Sequence, residues 1–316
     1  MTMDPIAIVG TGCVLPTGLG SSALWDSVRA ADICIRQTPD HRWGLQYHNS
    51  VCDPKVPRAE FSLNNKGGYV PEEQYPSQSS IDAVFLWTKE AARQALSDVR
   101  SMQPERTGLV LGNLSFPTQK MNEYTEWSIG KRREVEPMNR FMSGLPARWA
   151  ANELGILGPA YALDCACASA LYAIAHACRL LNHRQCDLVL AGAVNAADDL
   201  FLHVGFSALQ ALSPTGQSRP FHAQADGLLP AEGSGMVALK RLSDALTGDE
   251  PILGVIRGVG LSNDGRDRGL LVPSQAGQVR AMRQAYAQAD LNPDSVGWIE
   301  CHATGTTVGD GTELKS

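Results

Sequence analysis

The stretch Ala160-Tyr161-Ala162-Leu163-Asp164-Cys165-Ala166-Cys167-Ala168-Ser169-Ala170-Leu171-Tyr172-Ala173 decides the fold. Ala160–Leu163 is short and apolar, as a buried strand is. Asp164-Cys165-Ala166-Cys167 reads as a turn. From residue 168 to 181 the spacing predicts a helix with no acidic residue and a single arginine. Such a helix is apolar on nearly every face and belongs in the middle of a molecule. A strand passing through a turn into a buried helix is one unit of an α/β fold.

Outward from this unit, strands and helices alternate. Residues 6–9 are a buried strand stopped by Gly10-Thr11-Gly12, and residues 21–29 are helical. Residues 31–80, polar and rich in Pro, Gly and Gln, read as a long loop region. Residues 81–99 carry helical spacing, with Ala83, Trp87, Ala91 and Leu96 near one face. Residues 107–111 are a strand, 114–140 a polar excursion and 146–154 a helix. Further strands are expected at 187–191, 235–239, 252–259 and 296–301, a loop at 212–230 and a helix at 275–289. This alternation predicts an α/β fold with much parallel pairing. Residues 5–10 and 251–258 echo one another, as if each opened one half of the molecule.

The composition is globular: 316 residues, 44% hydrophobic and 19% charged. A formal charge of −6 argues against a phosphate-backbone binder. The one basic run, Lys131-Arg132-Arg133, lies among Glu126, Glu134 and Glu136 and reads as a solvated face. No apolar run approaches the roughly 20 residues that span a bilayer. The N-terminus lacks a signal-peptide pattern. A cytoplasmic chain with neither nucleic acid nor membrane as partner is expected. The eight cysteines then need no disulfide framework.

Two residues carry the candidate chemistry. Cys167 sits at the start of the buried helix, where unpaired backbone N–H groups and the helix dipole favour a thiolate. Ala166 and Ala168 leave room for a substrate carbonyl. His302 is placed after the 296–301 strand, and strand ends are where active-site groups gather in α/β sheets. Its imidazole N–H is suited to a developing oxyanion. Cys165, Cys167, Cys301 and His302 are also a conceivable zinc set, but the two pairs lack zinc-ribbon spacing. Gly10-Thr11-Gly12 is not a dinucleotide fingerprint.

The quoted stretch resembles the active-site motif of β-ketoacyl synthases, usually Asp-Thr-Ala-Cys-Ser-Ser-Ser, in the thiolase superfamily. Glu300-Cys301-His302-Ala303-Thr304-Gly305-Thr306 is similar to the family's first histidine motif, usually Glu-x-His-Gly-Thr-Gly-Thr, followed here by Gly309-Asp310. Gly205-Phe206-Ser207, Leu212-Ser213-Pro214, Arg219-Pro220-Phe221 and Ala231-Glu232-Gly233 match in order between them. So does the opening Ile6-Ala7-Ile8-Val9-Gly10. The flavour is that of polyketide or polyunsaturated-fatty-acid synthases. Here Cys165, Ala168 and Ala303 stand where the family usually has Thr, Ser and Gly.

The resemblance implies the thiolase fold, layered α/β/α/β/α, with residues 1–250 as an N-terminal half and 251–316 as the beginning of a second, incomplete half. It implies that Cys167 takes an acyl group from the phosphopantetheine of an acyl carrier protein. A malonyl-carrier enolate formed by decarboxylation then attacks that thioester. His302 polarises the malonyl carbonyl, and the Cys167 N–H lines the oxyanion hole. No metal or redox cofactor is implied, and a homodimer or heterodimer is. Asp310 and Glu313 have the form of a capping box opening a last helix. The family's second histidine, its lysine and a glycine-rich loop fall outside these motifs, so a complementary C-terminal fragment or chain is expected. The alternative is a non-condensing acyl-binding protein or a chain-length-factor-like scaffold.

Overall fold

The computed structural model describes residues 4–316 except 40–41, 44–50, 54, 56–59, 73–78, 141–142, 198 and 267–271. The strands are β1 (Ile6–Leu15), β2 (Gly18–Leu19), β3 (Ile35–Gln37), β4 (Lys66–Gly68), β5 (Thr107–Gly112), β6 (Ala160–Leu163), β7 (Leu188–Asn195), β8 (Gly233–Arg241) and β9 (Gly254–Ile256). The helices are α1 (Gly20–Arg29), α2 (Ala83–Leu96), α3 (Gln119–Ser128), α4 (Leu145–Glu153), α5 (Ser169–Asn182), α6 (Asp199–Ala208), α7 (Leu242–Thr247), α8 (Gln275–Ala289) and α9 (Thr307–Glu313).

Among the described residues the main sheet has seven strands, ordered β2-β1-β8-β7-β5-β6, with β9 also on β1. It is mixed. The pairs β5–β6 and β5–β7 are parallel, whereas β1–β8, β7–β8, β1–β2 and β1–β9 are antiparallel. The expected parallel character holds only around β5. Strand alternation sorts the side chains to two faces. Leu109, Leu111, Leu188 and Leu190 face α2 and α4, packing with Phe85, Ala91, Ala95, Ala147 and Ala150. Val110, Val189, Ala191 and Leu239 face α5, packing with Ala173, Ala177, Cys178 and Leu181. Helices thus cover both faces. No described helix is long and apolar enough to cross a membrane.

Several expectations are corrected. Gly10 and Gly12 do not end the first strand, which runs on to Leu15 with a bulge between Ile8 and Gly10. A Cβ at Gly10 would lie 2.0 Å from the Ala95 carbonyl oxygen, and one at Gly12 2.1 Å from that of Ala91. These glycines let α2 lie against the strand. The 31–80 region holds the short β3–β4 pair, although many of its residues lie outside those described. The 114–140 excursion contains α3, capped by Thr118, whose side chain accepts from Met121 N. Its helix carries few apolar residues, so periodicity did not mark it. The basic run there is paired as a solvated face is, Arg132 lying by Glu123 and Glu126.

The strand expected at 252–259 shrinks to Gly254–Ile256, and residues 296–301 form no strand among the described residues. An apolar run becomes a strand only when a partner takes its backbone groups. The echoing segments are partners: Ile6, Ala7 and Ile8 pair antiparallel with Ile256, Val255 and Gly254. Nor is α5 buried on every face, because Leu171 is 64% exposed.

Candidate active site

The sheet positions Cys167 through β5, β6 and α5. Gly112 ends β5, and a Cβ there would meet Ser169 Cβ at 2.8 Å. Its absence lets the first turn of α5 sit on the strand end. Between β6 and α5 the chain reverses at Ala166, which has φ +51°, a left-handed conformation unfavourable for a residue with a Cβ. Hydrogen bonds hold it there. Asp164 Oδ1 accepts from Ala166 N at 2.9 Å, and Ser169 N donates to Ala166 O at 3.0 Å. Ser169 Oγ donates to Ala166 O at 2.7 Å and accepts from Cys165 N at 2.9 Å. Cys167 is therefore presented, exposed, one residue before the helix cap at Ala168.

His302 arrives from the other end of the chain. Glu313, on α9, accepts from His302 N at 2.6 Å and from Ala303 N at 2.9 Å. Asp310, on the same helix and buried, accepts from Gly305 N at 3.0 Å and from Phe221 N at 2.6 Å. Gly227 N donates to Gly305 O at 2.9 Å. The 212–230 loop and the histidine loop are thereby fastened together. The former is braced internally by Asp226, which accepts from Ser213 and Thr215 at 2.6 and 2.7 Å.

The structure brings the side chains of Cys167 and His302 close enough for each to shift the other's titration. The imidazole of His302 lowers the Cys167 pKa against partial desolvation, aided by its charge and the Cys167 backbone N–H. In return, the side chain of Cys167 raises the His302 pKa against burial, with the charges of Cys167, Glu313 and Asp310 adding to it. Both shifts run in the direction of a thiolate beside an imidazolium. Burial pushes the thiols of Cys13, Cys178, Cys186 and Cys301 the other way, Cys178 to about 12. The described residues gather no set of three His, Cys, Asp or Glu that could hold a metal.

The sequence reading missed the roles of Asp310 and Glu313. They are not a capping box. Thr306 caps α9, accepting from Gly309 N, while both carboxylates reach back to loop backbone. The signal was two acids three residues apart on a helix, which project to the same side, directly after the histidine loop.

A mixed sheet carrying a cysteine elbow beside a histidine loop is the arrangement of ketosynthases of the thiolase fold. The PfaC ketosynthase–chain length factor structure is similar with a TM-score of 0.91 and 31% identity, over 99% of this chain and 37% of that one. A ketosynthase from module 6 of the Bacillus subtilis bacillaene synthase is similar with a TM-score of 0.81 and 26% identity, over 99% of this chain and 53% of that one. Residues 3–245 match the family model "Beta-ketoacyl synthase, N-terminal domain" and residues 253–316 match "Beta-ketoacyl synthase, C-terminal domain". The chain belongs to the β-ketoacyl synthase family, a family of acyltransferases. It is 34% identical to a phenolphthiocerol/phthiocerol polyketide synthase polypeptide of Mycobacterium tuberculosis, over 99% of this chain and 18% of that protein. The chain thus spans about half of that solved bacillaene ketosynthase chain and about a fifth of this curated relative.

Proposed function

We propose that this chain carries the acyl-accepting half-site of a polyketide- or fatty-acid-type ketosynthase. The observation that carries the reading is the juxtaposition of Cys167, at the N-terminus of α5, with His302. The Cys167 thiolate attacks the carbonyl of an acyl thioester held on the phosphopantetheine of an acyl carrier protein. The backbone N–H of Cys167 and the helix N-terminus face the resulting oxyanion, and the carrier thiolate leaves. Covalent capture splits one difficult condensation into two easier steps.

Acylation then changes His302. Once the sulfur is a neutral thioester, the partner that contributes most to raising the imidazole pKa is gone. The neutral imidazole is left free to donate to a malonyl thioester carbonyl as carbon dioxide departs. The enolate attacks the Cys167 thioester, completing a Claisen condensation. In this reading a complementary ketosynthase segment supplies a second histidine and a lysine. Exposed apolar side chains support such a partner: Leu171 on α5, and Trp298 and Ile299, which are 80% and 61% exposed. The working unit is a homodimer or heterodimer in the cytoplasm, and eight free thiols suit that reducing compartment.

Incubation of the chain with an acyl-carrier thioester, followed by intact mass, tests the reading. An acyl adduct on Cys167 that is absent from Cys167→Ala is expected. A folded chain with no adduct would overturn the acyl-transfer role and leave a chain-length-factor-like scaffold.

A further inference from the structure

Cys165 is unused by this chemistry, yet it lies two residues from the reactive thiol. An extended stretch would hold the Cα atoms of residues i and i+2 about 7 Å apart, at the edge of the roughly 4.4–6.8 Å that disulfides span. The left-handed Ala166 folds the chain between them and shortens that separation. Ala168 N donates to Cys165 O at 3.2 Å across the same turn. Cys165 is only partly buried and Cys167 is exposed, so solvent oxidants can reach the turn. The other cysteine near the histidine, Cys301, is raised in pKa by burial and by the charges of Glu313 and Glu300.

We propose that the 165–167 turn is a site of reversible peroxide modification, in which oxidised Cys167 is captured by Cys165 as an intramolecular disulfide. In the first step the Cys167 thiolate attacks hydrogen peroxide. A sulfur–oxygen bond forms, the oxygen–oxygen bond breaks, and hydroxide leaves, taking a proton from the His302 imidazolium. In the second step the Cys165 thiolate attacks the sulfenic sulfur. A sulfur–sulfur bond forms, the sulfur–oxygen bond breaks, and the departing hydroxide takes the proton that Cys165 lost. Two thiols are oxidised, one peroxide is reduced, and two waters result. The disulfide protects Cys167 from the sulfinic state, which reductant does not reverse, and blocks acyl loading until a thiol reductant reopens it.

The inference rests on the reading of Cys167 as the reactive thiol. Acyl loading of the untreated, reduced chain tests that reading separately. The experiment treats the full chain with hydrogen peroxide and maps its thiols by mass, before and after dithiothreitol. The expected product has lost two hydrogens, with Cys165 and Cys167 both closed to iodoacetamide and both recovered by dithiothreitol. Cys165→Thr, which places the family's usual residue there, should instead add oxygens to Cys167. Its dithiothreitol-recoverable thiol should fall about tenfold below that of the unsubstituted chain. A Cys167 that over-oxidises as readily in the unsubstituted chain as in Cys165→Thr, or a disulfide mapped to Cys301, overturns the proposal. The mapping of the unsubstituted chain decides the matter even if the variant folds poorly.

Discussion

The Glu313 carboxylate holds the backbone of His302, accepting its N–H at 2.6 Å and that of Ala303 at 2.9 Å. One acidic side chain on α9 therefore fixes where the histidine loop turns. Hydrogen bonds to a charged acceptor contribute about 1.5–3 kcal/mol. Glu313→Ala should lower stability by about that much in denaturant unfolding. Glu313→Gln keeps an acceptor but loses the charge, so a smaller loss is expected. Both should slow iodoacetamide capture of Cys167, because His302 is less well placed. An unchanged capture rate in Glu313→Ala would show that the loop holds itself.

The pairing of Cys167 with His302 sets a pH dependence. The Cys167 pKa is lowered by His302 and the His302 pKa is raised by Cys167. Alkylation should therefore begin at lower pH than for an ordinary thiol. His302→Gln removes the charged partner and should move that onset upward. A displacement of one pKa unit makes neutral-pH alkylation roughly tenfold slower. Coincident pH–rate profiles for the two proteins would remove His302 from the account of Cys167 reactivity.

Ala303 sits at φ +50°, where a Cβ crowds the following carbonyl. The strain is relieved in Ala303→Gly, offset by the greater freedom of glycine in the unfolded chain. A net gain of about 0.5–1 kcal/mol is expected from the denaturation midpoint, at unchanged slope. A loss instead would mean that the Ala303 methyl packs usefully against its neighbours.

Asp187 provides an acid-limb test far from the site. Its pKa falls to about 2 because Arg106 hydrogen bonds its carboxylate, against some burial, with Arg241 adding a second bond. A depressed carboxylate stabilises the fold above its unfolded pKa of roughly 4 and ceases to do so as pH falls through about 2. The side chain is 40% exposed, so solvent screening reduces the contribution to about 1 kcal/mol. Asp187→Asn should lower stability at pH 7 and flatten the decline between roughly pH 4 and 2. Parallel stability curves for the two proteins over that range would contradict it.

What could be read from the sequence followed from how local each feature is. The elbow was legible because strand, turn and apolar helix are contiguous over residues 160–182. β5 and β7 were legible because strands buried on both faces are nearly uninterrupted apolar runs. Gly10 and Gly12 were misread because their reason is the carbonyls of Ala95 and Ala91, over 70 residues away. Residues 296–301 looked like a strand because apolar β-formers do, but pairing is a tertiary property. Asp310 and Glu313 satisfied a local capping pattern, while their real partners, Phe221 and His302, come from elsewhere in the chain.

The antiparallel register of β1 has a cost in time. Ile6 pairs with Arg241 on one side and with Ile256 on the other. At translation speeds of about 5–20 residues per second, the ribosome needs roughly 10–50 s to make β8 after β1. Throughout that interval the apolar first strand has neither neighbour, and its backbone is open to other nascent chains. Expression at lower temperature, or slower initiation that spaces ribosomes apart, should therefore raise the yield of folded protein more than any change in the buffer after lysis.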